Sequence, residues 1–176
     1  MHTLTLSATQ RLLILEMAAW RSGDFFTIDV SRSTDALEEA FKSLPLSLAA
    51  SFINKTDKVE LSKNECICAF ILMGYHKRDN NRDSQEAVDR WVLAEYTMNL
   101  ISEAIGTDFL VDSAAFAQFH TNYMKANSAQ RYGQAFLNAF SHNPVVDAFR
   151  TGPYLWEECN ANVAAYKINN VLYLLT

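Results

Sequence analysis

The residue types that could carry chemistry are few and stand far apart. Cys66 and Cys68 are two apart on a run that reads as a helix. That spacing turns their side chains about 200 degrees from each other, so they cannot hold one metal ion together. They read instead as small apolar residues of a buried helix. Cys159 sits in Glu157-Glu158-Cys159-Asn160, with no histidine beside it in sequence to lower its pKa. The histidines are His2, His76, His120 and His142, with no H-x-x-x-H or H-x-x-E pair among them. A zinc site would have to be assembled wholly from distant segments. His120 lies among Phe116, Phe119, Tyr123 and Met124 and reads as a hydrogen-bonded core or boundary histidine. An enzyme would have to pair His120 or His142 with a carboxylate such as Glu103 or Asp147. The phosphate-binding and nucleophile-elbow patterns G-x-x-x-x-G-K, G-x-G-x-x-G and G-x-S-x-G do not occur. No residue is therefore assigned a catalytic or metal-binding role, and no cofactor is expected.

Binding chemistry has three candidate places. His76, Lys77, Arg78 and Arg82 form the most polar segment and could hold a phosphate or an acidic partner. Asp79 and Asp83 dilute that field, so a solvated loop between helices is the alternative. In the string 131–140, Gln134 and Asn138 lie four apart on one helix face, with Arg131 a turn before Gln134. This amide and guanidinium edge could bind a carboxylate, phosphate or peptide backbone, or could tie down neighbouring loops. Gly133 inside a helix costs about 1 kcal/mol relative to Ala, which points to close approach of another element. The third place is Tyr154, Leu155 and Trp156 beside Glu157 and Glu158, an aromatic and acidic patch of the kind that anchors interfaces.

The elements that must position these groups are mostly helical. The strongest helical signal runs over about 84–105, with Asp83 or Ser84 as N-cap and Gly106 as a left-handed C-cap. Trp91, Ala94, Met98, Ile101 and Ile105 recur at helical spacing, and Val88, Val92, Leu93 and Leu100 widen the stripe, predicting a core helix. Thr3, Leu4, Thr5 and Leu6 alternate as a strand and lead to Ser7 and Gln10, the pattern of a capping box, before a helix. Residues 59–65 repeat the logic of residues 4–10, with Ser62 and Glu65 in the same roles. Two accounts fit the echo: a degenerate duplication with a period of about 55 residues, or convergence on a common cap. Phe26, Ile28 and Val30 alternate as a further strand. Pro45 ends or bends the helix that follows, and the helix after Ser62 runs to about Tyr75. Asp112 or Ser113, and then Ser128, cap two later helices. The last stretch holds Asn169-Asn170 between apolar segments and reads as hairpin or helix, the hairpin favoured because Asn tolerates positive φ.

The fold class expected is mainly α (α+β): a compact helical domain around the 84–105 helix, with a small β element from the N-terminal and 25–30 segments, to which the C-terminal segment adds if it forms the hairpin. Residues 1–176 are read as one domain, with 1–78 and 83–176 as its possible subdivision. The net charge of -5 is spread without a basic half: residues 1–90 hold 11 basic and 13 acidic groups, and residues 91–176 hold 4 and 7. Nucleic acid is therefore not an expected partner. A DNA-binding helix-turn-helix would need a basic recognition helix, and residues 34–43 offer Lys42 against three acids. Three cysteines and no secretory start fit a reduced, cytoplasmic setting, and no segment suits a membrane span.

The string at 131–139, with Asn143-Pro144 and Phe149-Arg150-Thr151-Gly152 after it, resembles small, mostly uncharacterised bacterial and phage proteins carrying R-x-G-Q-A-F-x-N-A. The similarity covers residues 128–156. Thr151-Gly152 reverses the Gly-Thr order of that pattern, and no activity or catalytic residue comes with it. It implies a phage or mobile-element setting. The expectation is a non-catalytic interaction protein that occupies a surface on a bacterial protein as an inhibitor; a small His/carboxylate enzyme and a DNA-binding regulator are the alternatives. For the scaffold, a buried ring at Trp91 would make Trp91→Ala a loss of roughly 3 to 5 kcal/mol in chemical denaturation.

Overall fold

The computed structural model describes residues 1–22, 35–79, 82–126, 129–143, 145–146 and 160–172. They are mainly helical, with one small sheet, and divide into two compact units, Met1–Thr107 and Asp108–Thr176.

The first unit is organised by two short strands, β1 (His2–Thr5) and β2 (Lys58–Leu61), which pair antiparallel with Leu4 opposite Val59. Alternation decides the faces: Leu4, Val59 and Leu61 are buried, while Thr3, Thr5, Lys58 and Glu60 are exposed. The expected strand at 25–30 lies outside the described residues. Each strand leads into a capping box. At the start of α1 (Ala8–Ser22), the Ser7 N–H donates to Gln10 Oε1 at 2.8 Å and the Gln10 N–H to Ser7 Oγ at 3.2 Å. At the start of α3 (Lys63–Asp79), the Ser62 N–H donates to Glu65 Oε2 at 2.8 Å and the Glu65 N–H to Ser62 Oγ at 3.2 Å. Both boxes satisfy first-turn donors that would otherwise lack partners.

The second helix of each pair then packs across. α2 (Asp35–Ile53) runs through Pro45 as one helix, so of the two expected effects Pro45 does not end it. α4 (Gln85–Ile105) has the predicted N-cap, with the Ala87 N–H donating to Ser84 Oγ at 3.2 Å. Its C-cap Gly106 has φ 80° and ψ -177° rather than the left-handed helical pair predicted. That region is open essentially to glycine alone.

α4 is buried along one face only, through Ala94, Met98, Ile101 and Ile105, with Val92 and Tyr96 exposed. The helix buried all the way round is α3, where residues 65–77 are buried without interruption. It packs on α1, α2, α4 and β2.

The second unit holds α5 (Ser113–Lys125), capped by Asp112 as predicted, α6 (Tyr132–Ala139) and α7 (Ala161–Leu172). α6 begins after Arg131, not at the predicted cap Ser128, which is outside the described residues. α7 overturns the favoured hairpin: Asn169 and Asn170 lie inside a helix. Its buried residues Ala164 and Ile168 are four apart, a helical and not a strand period.

Glu65 joins the halves of the first unit. Its Oε1 accepts from the Ser43 and Ser47 hydroxyls of α2, each at 2.8 Å. Burial pushes its carboxyl upward, but the Ser62 N–H and the hydroxyls of Ser47, Ser43 and Ser62 outweigh burial and hold it below its ordinary value. With the folded pKa below the unfolded one, the unfolded state binds more protons on acidification. The stabilisation is complete above the unfolded value of about 4.3 and is lost as pH falls through the folded value. Glu65→Gln should cost about 1 to 3 kcal/mol at pH 7 and flatten the acid limb of a Tm-against-pH series. An unchanged acid limb would show that this carboxylate does not control it.

Candidate functional site

The first part of the basic segment is not a loop. His76, Lys77 and Arg78 belong to the last turns of α3, so the helix predicted to stop near Tyr75 runs to Asp79. His76 and Lys77 are buried, at 2% and 8% exposure, which removes them from any open anion-binding face. The helix continues because α4 covers it. The Lys77 ammonium lies 3.7 Å from Glu95 Oε2 and 4.2 Å from the centroid of the Trp91 ring. Burial lowers the Lys77 pKa; Glu95 pulls it back up, and Arg82 adds to the lowering.

Arg82, in the link between the helices, is exposed, and its guanidinium carbon lies 4.2 Å from the same ring centroid. The Arg78 side chain is outside the described residues. Two cations on one indole make a latch between α3 and α4. Trp91 is half-buried, so the cost expected for a fully buried ring is too high for Trp91→Ala.

The second unit carries the other candidates. Tyr132, Gly133, Phe136 and Leu137 are the buried side of α6, which leaves Gln134 half-buried and Asn138 exposed on its flank. Arg131 is the exposed residue at the helix start. Gly133 falls in the first turn of α6, where the penalty expected for a mid-helix glycine does not apply in full.

α5 lies against α6 through aromatic rings. The Phe119 ring centroid is 5.3 Å from that of Tyr132, 5.7 Å from Phe136 and 5.8 Å from Phe140, all edge-on. His120 Nδ1 shares a 2.9 Å hydrogen bond with the Tyr132 hydroxyl, as a boundary histidine should. Burial raises the Tyr132 phenol to about 12, which keeps it protonated at neutral pH. A neutral phenol beside the imidazole orients the ring; it is not the carboxylate that the enzyme reading needs. His142 is exposed.

Glu103 is in the first unit, and Asp147 lies outside the described residues, as do Tyr154, Trp156, Glu157, Glu158 and Cys159. Cys66 and Cys68 are fully buried, and the Cys68 thiol donates to the Leu37 carbonyl at 3.6 Å; burial pushes Cys66 to about 12, which makes it inert. No group of three potential metal ligands occurs among the described residues. No helix among them is long and apolar enough to cross a membrane. Of the helix-turn-helix reading, α2 keeps Lys42, and that ammonium is held by Glu38 at 3.2 Å and Glu39 at 2.9 Å.

Sequence reasoning missed the role of Trp91 and Glu95 in fixing Lys77. Their signal was present: both sit on the helix that follows the basic segment, within reach of a long lysine stem. Amine acylation followed by mass spectrometry separates the two assignments. Lys77 should react about tenfold or more slowly than the exposed Lys55 and Lys58 in the folded chain. Equal rates would return it to the surface.

Compared with known protein families, curated proteins and solved structures, the chain matches none.

Proposed function

We propose that this chain is a non-catalytic interaction protein that occupies a surface on a bacterial protein in the cytoplasm, as an inhibitor encoded by a phage or other mobile element. The observation that carries the reading is the aromatic side of α5. This helix of 13 residues has no buried residue, although Phe116, Phe119 and Tyr123 all stack on their neighbours. Those rings are half-covered, and Met124 beside them is 53% exposed. Aromatic groups held rigid by ring contacts, yet partly open, are suited to anchor an interface at low entropic cost. Arg131, Gln134 and Asn138 supply polar groups for its rim. The mobile-element setting rests on the resemblance at residues 128–156, which overlaps this surface.

Capture from bacterial lysate tests the reading with four forms of the full chain: wild type, Met124→Glu with Arg131→Glu, Trp156→Ala, and Tyr96→Glu as a control in the first unit. A partner held through the second unit should fall about tenfold in recovery with the first two variants, a loss of roughly 1.4 kcal/mol, and be kept by the control. Equal recovery by all four would count against both patches.

A further inference from the structure

We infer that Met1–Thr107 is built as two equivalent β-α-α halves, β1-α1-α2 and β2-α3-α4, which complete one another about an internal two-fold axis, and that two copies of this chain can pair by exchanging them. The sequence echo aligns Leu4 with Val59, Ser7 with Ser62 and Gln10 with Glu65. A shared cap arrived at by convergence would explain those residues and nothing more. The structure adds three agreements that convergence does not require.

The first is the register. Leu4 pairs with Val59, its own counterpart, so the axis passes between them. The pair Thr3 with Glu60 is then the same pair as Thr5 with Lys58, seen from the other half. The counterpart of His2 opposite Leu61 is Leu6 opposite Asp57, and there the Leu6 N–H donates to the Asp57 carbonyl at 2.9 Å.

The second is the reach of the caps. Gln10 Nε2 donates to Thr97 Oγ1 at 3.0 Å, on the second helix of the other half. Glu65 accepts from Ser43 and Ser47, again on the second helix of the other half. Each box closes its own first helix and holds the partner's second. The third is the packing: α2 lies on β2 and α3, and α4 lies on β1 and α1. Neither half buries its own strand residues alone.

Halves that complete each other within a chain can do so between chains, giving a closed two-fold dimer with the same contacts. The link between them is the short turn 54–57, where Lys55 has φ 51°, the one positive φ at a non-glycine among the described residues. Strain held at a short hinge favours its opening.

Trans-complementation tests this with full chains. Leu4→Asp and Val59→Asp each place a carboxylate at the buried axis, at residues 3% and 2% exposed. Differently tagged, each is unfolded in denaturant and refolded, alone or mixed in equal amounts. Alone, each should lose the wild-type melting transition. Mixed, a species carrying both tags should appear at twice the monomer mass, with a Tm within about 5 °C of wild type. Exchange leaves it one intact unit, from the first half of Val59→Asp and the second half of Leu4→Asp. No two-tag dimer, a dimer without the recovered transition, or a native Tm in either variant alone would overturn the inference.

Discussion

A helix without a polar face has to be enclosed, and α3 is such a helix. From Glu65 to Lys77 it offers water nothing, so its stability depends on four other elements arriving around it. α1, α2 and α4 form the wall and β2 the floor, and each has an apolar side because α3 requires one. This also explains why α4, the longest helix among the described residues, is apolar yet amphipathic in place: only the side toward its neighbours is needed.

Enclosure makes the polar residues of α3 the costly ones, and the structure deals with them at its two ends. At the start, Glu65 gives its carboxylate to one N–H and two hydroxyls, a solution that retains the charge. At the end, Lys77 keeps its stem inside and its ammonium between an indole face and a carboxylate near the surface.

The local grammar of the chain was readable: both capping boxes, the Ser84 and Asp112 caps and the strand alternation appear where their residues stand, because each depends on neighbours within a few positions. Other readings failed because they depended on distant cover. His76 and Lys77 look like loop residues until Trp91 and Glu95 are placed against them. Asn169-Asn170 suits a turn as well as a helix, and only burial at Ala164 and Ile168 chooses. Val92 and Tyr96 could not be assigned to solvent without knowing that α3 lies on one side of α4. Of the candidate binding residues, Gln134 and Asn138 lie on one short helix and Arg131 is its N-cap, positions that local spacing alone can order.

Arg11 of α1 is 6% exposed, and its guanidinium meets no carboxylate among the described residues. It donates to Ser51 Oγ and to the Thr56 carbonyl and lies 4.4 Å over the Phe52 ring, where α2 ends. The negative end of the helix dipole takes the place of a counter-ion. Neither a guanidinium nor a carbonyl titrates in acid. The two ties on α2 therefore answer to different conditions: protonation weakens the one through Glu65, while the one through Arg11 persists. Acid should loosen α3 from α2 while α1 still grips its far end, so the unit has an order of disassembly written into which partner each charge was given.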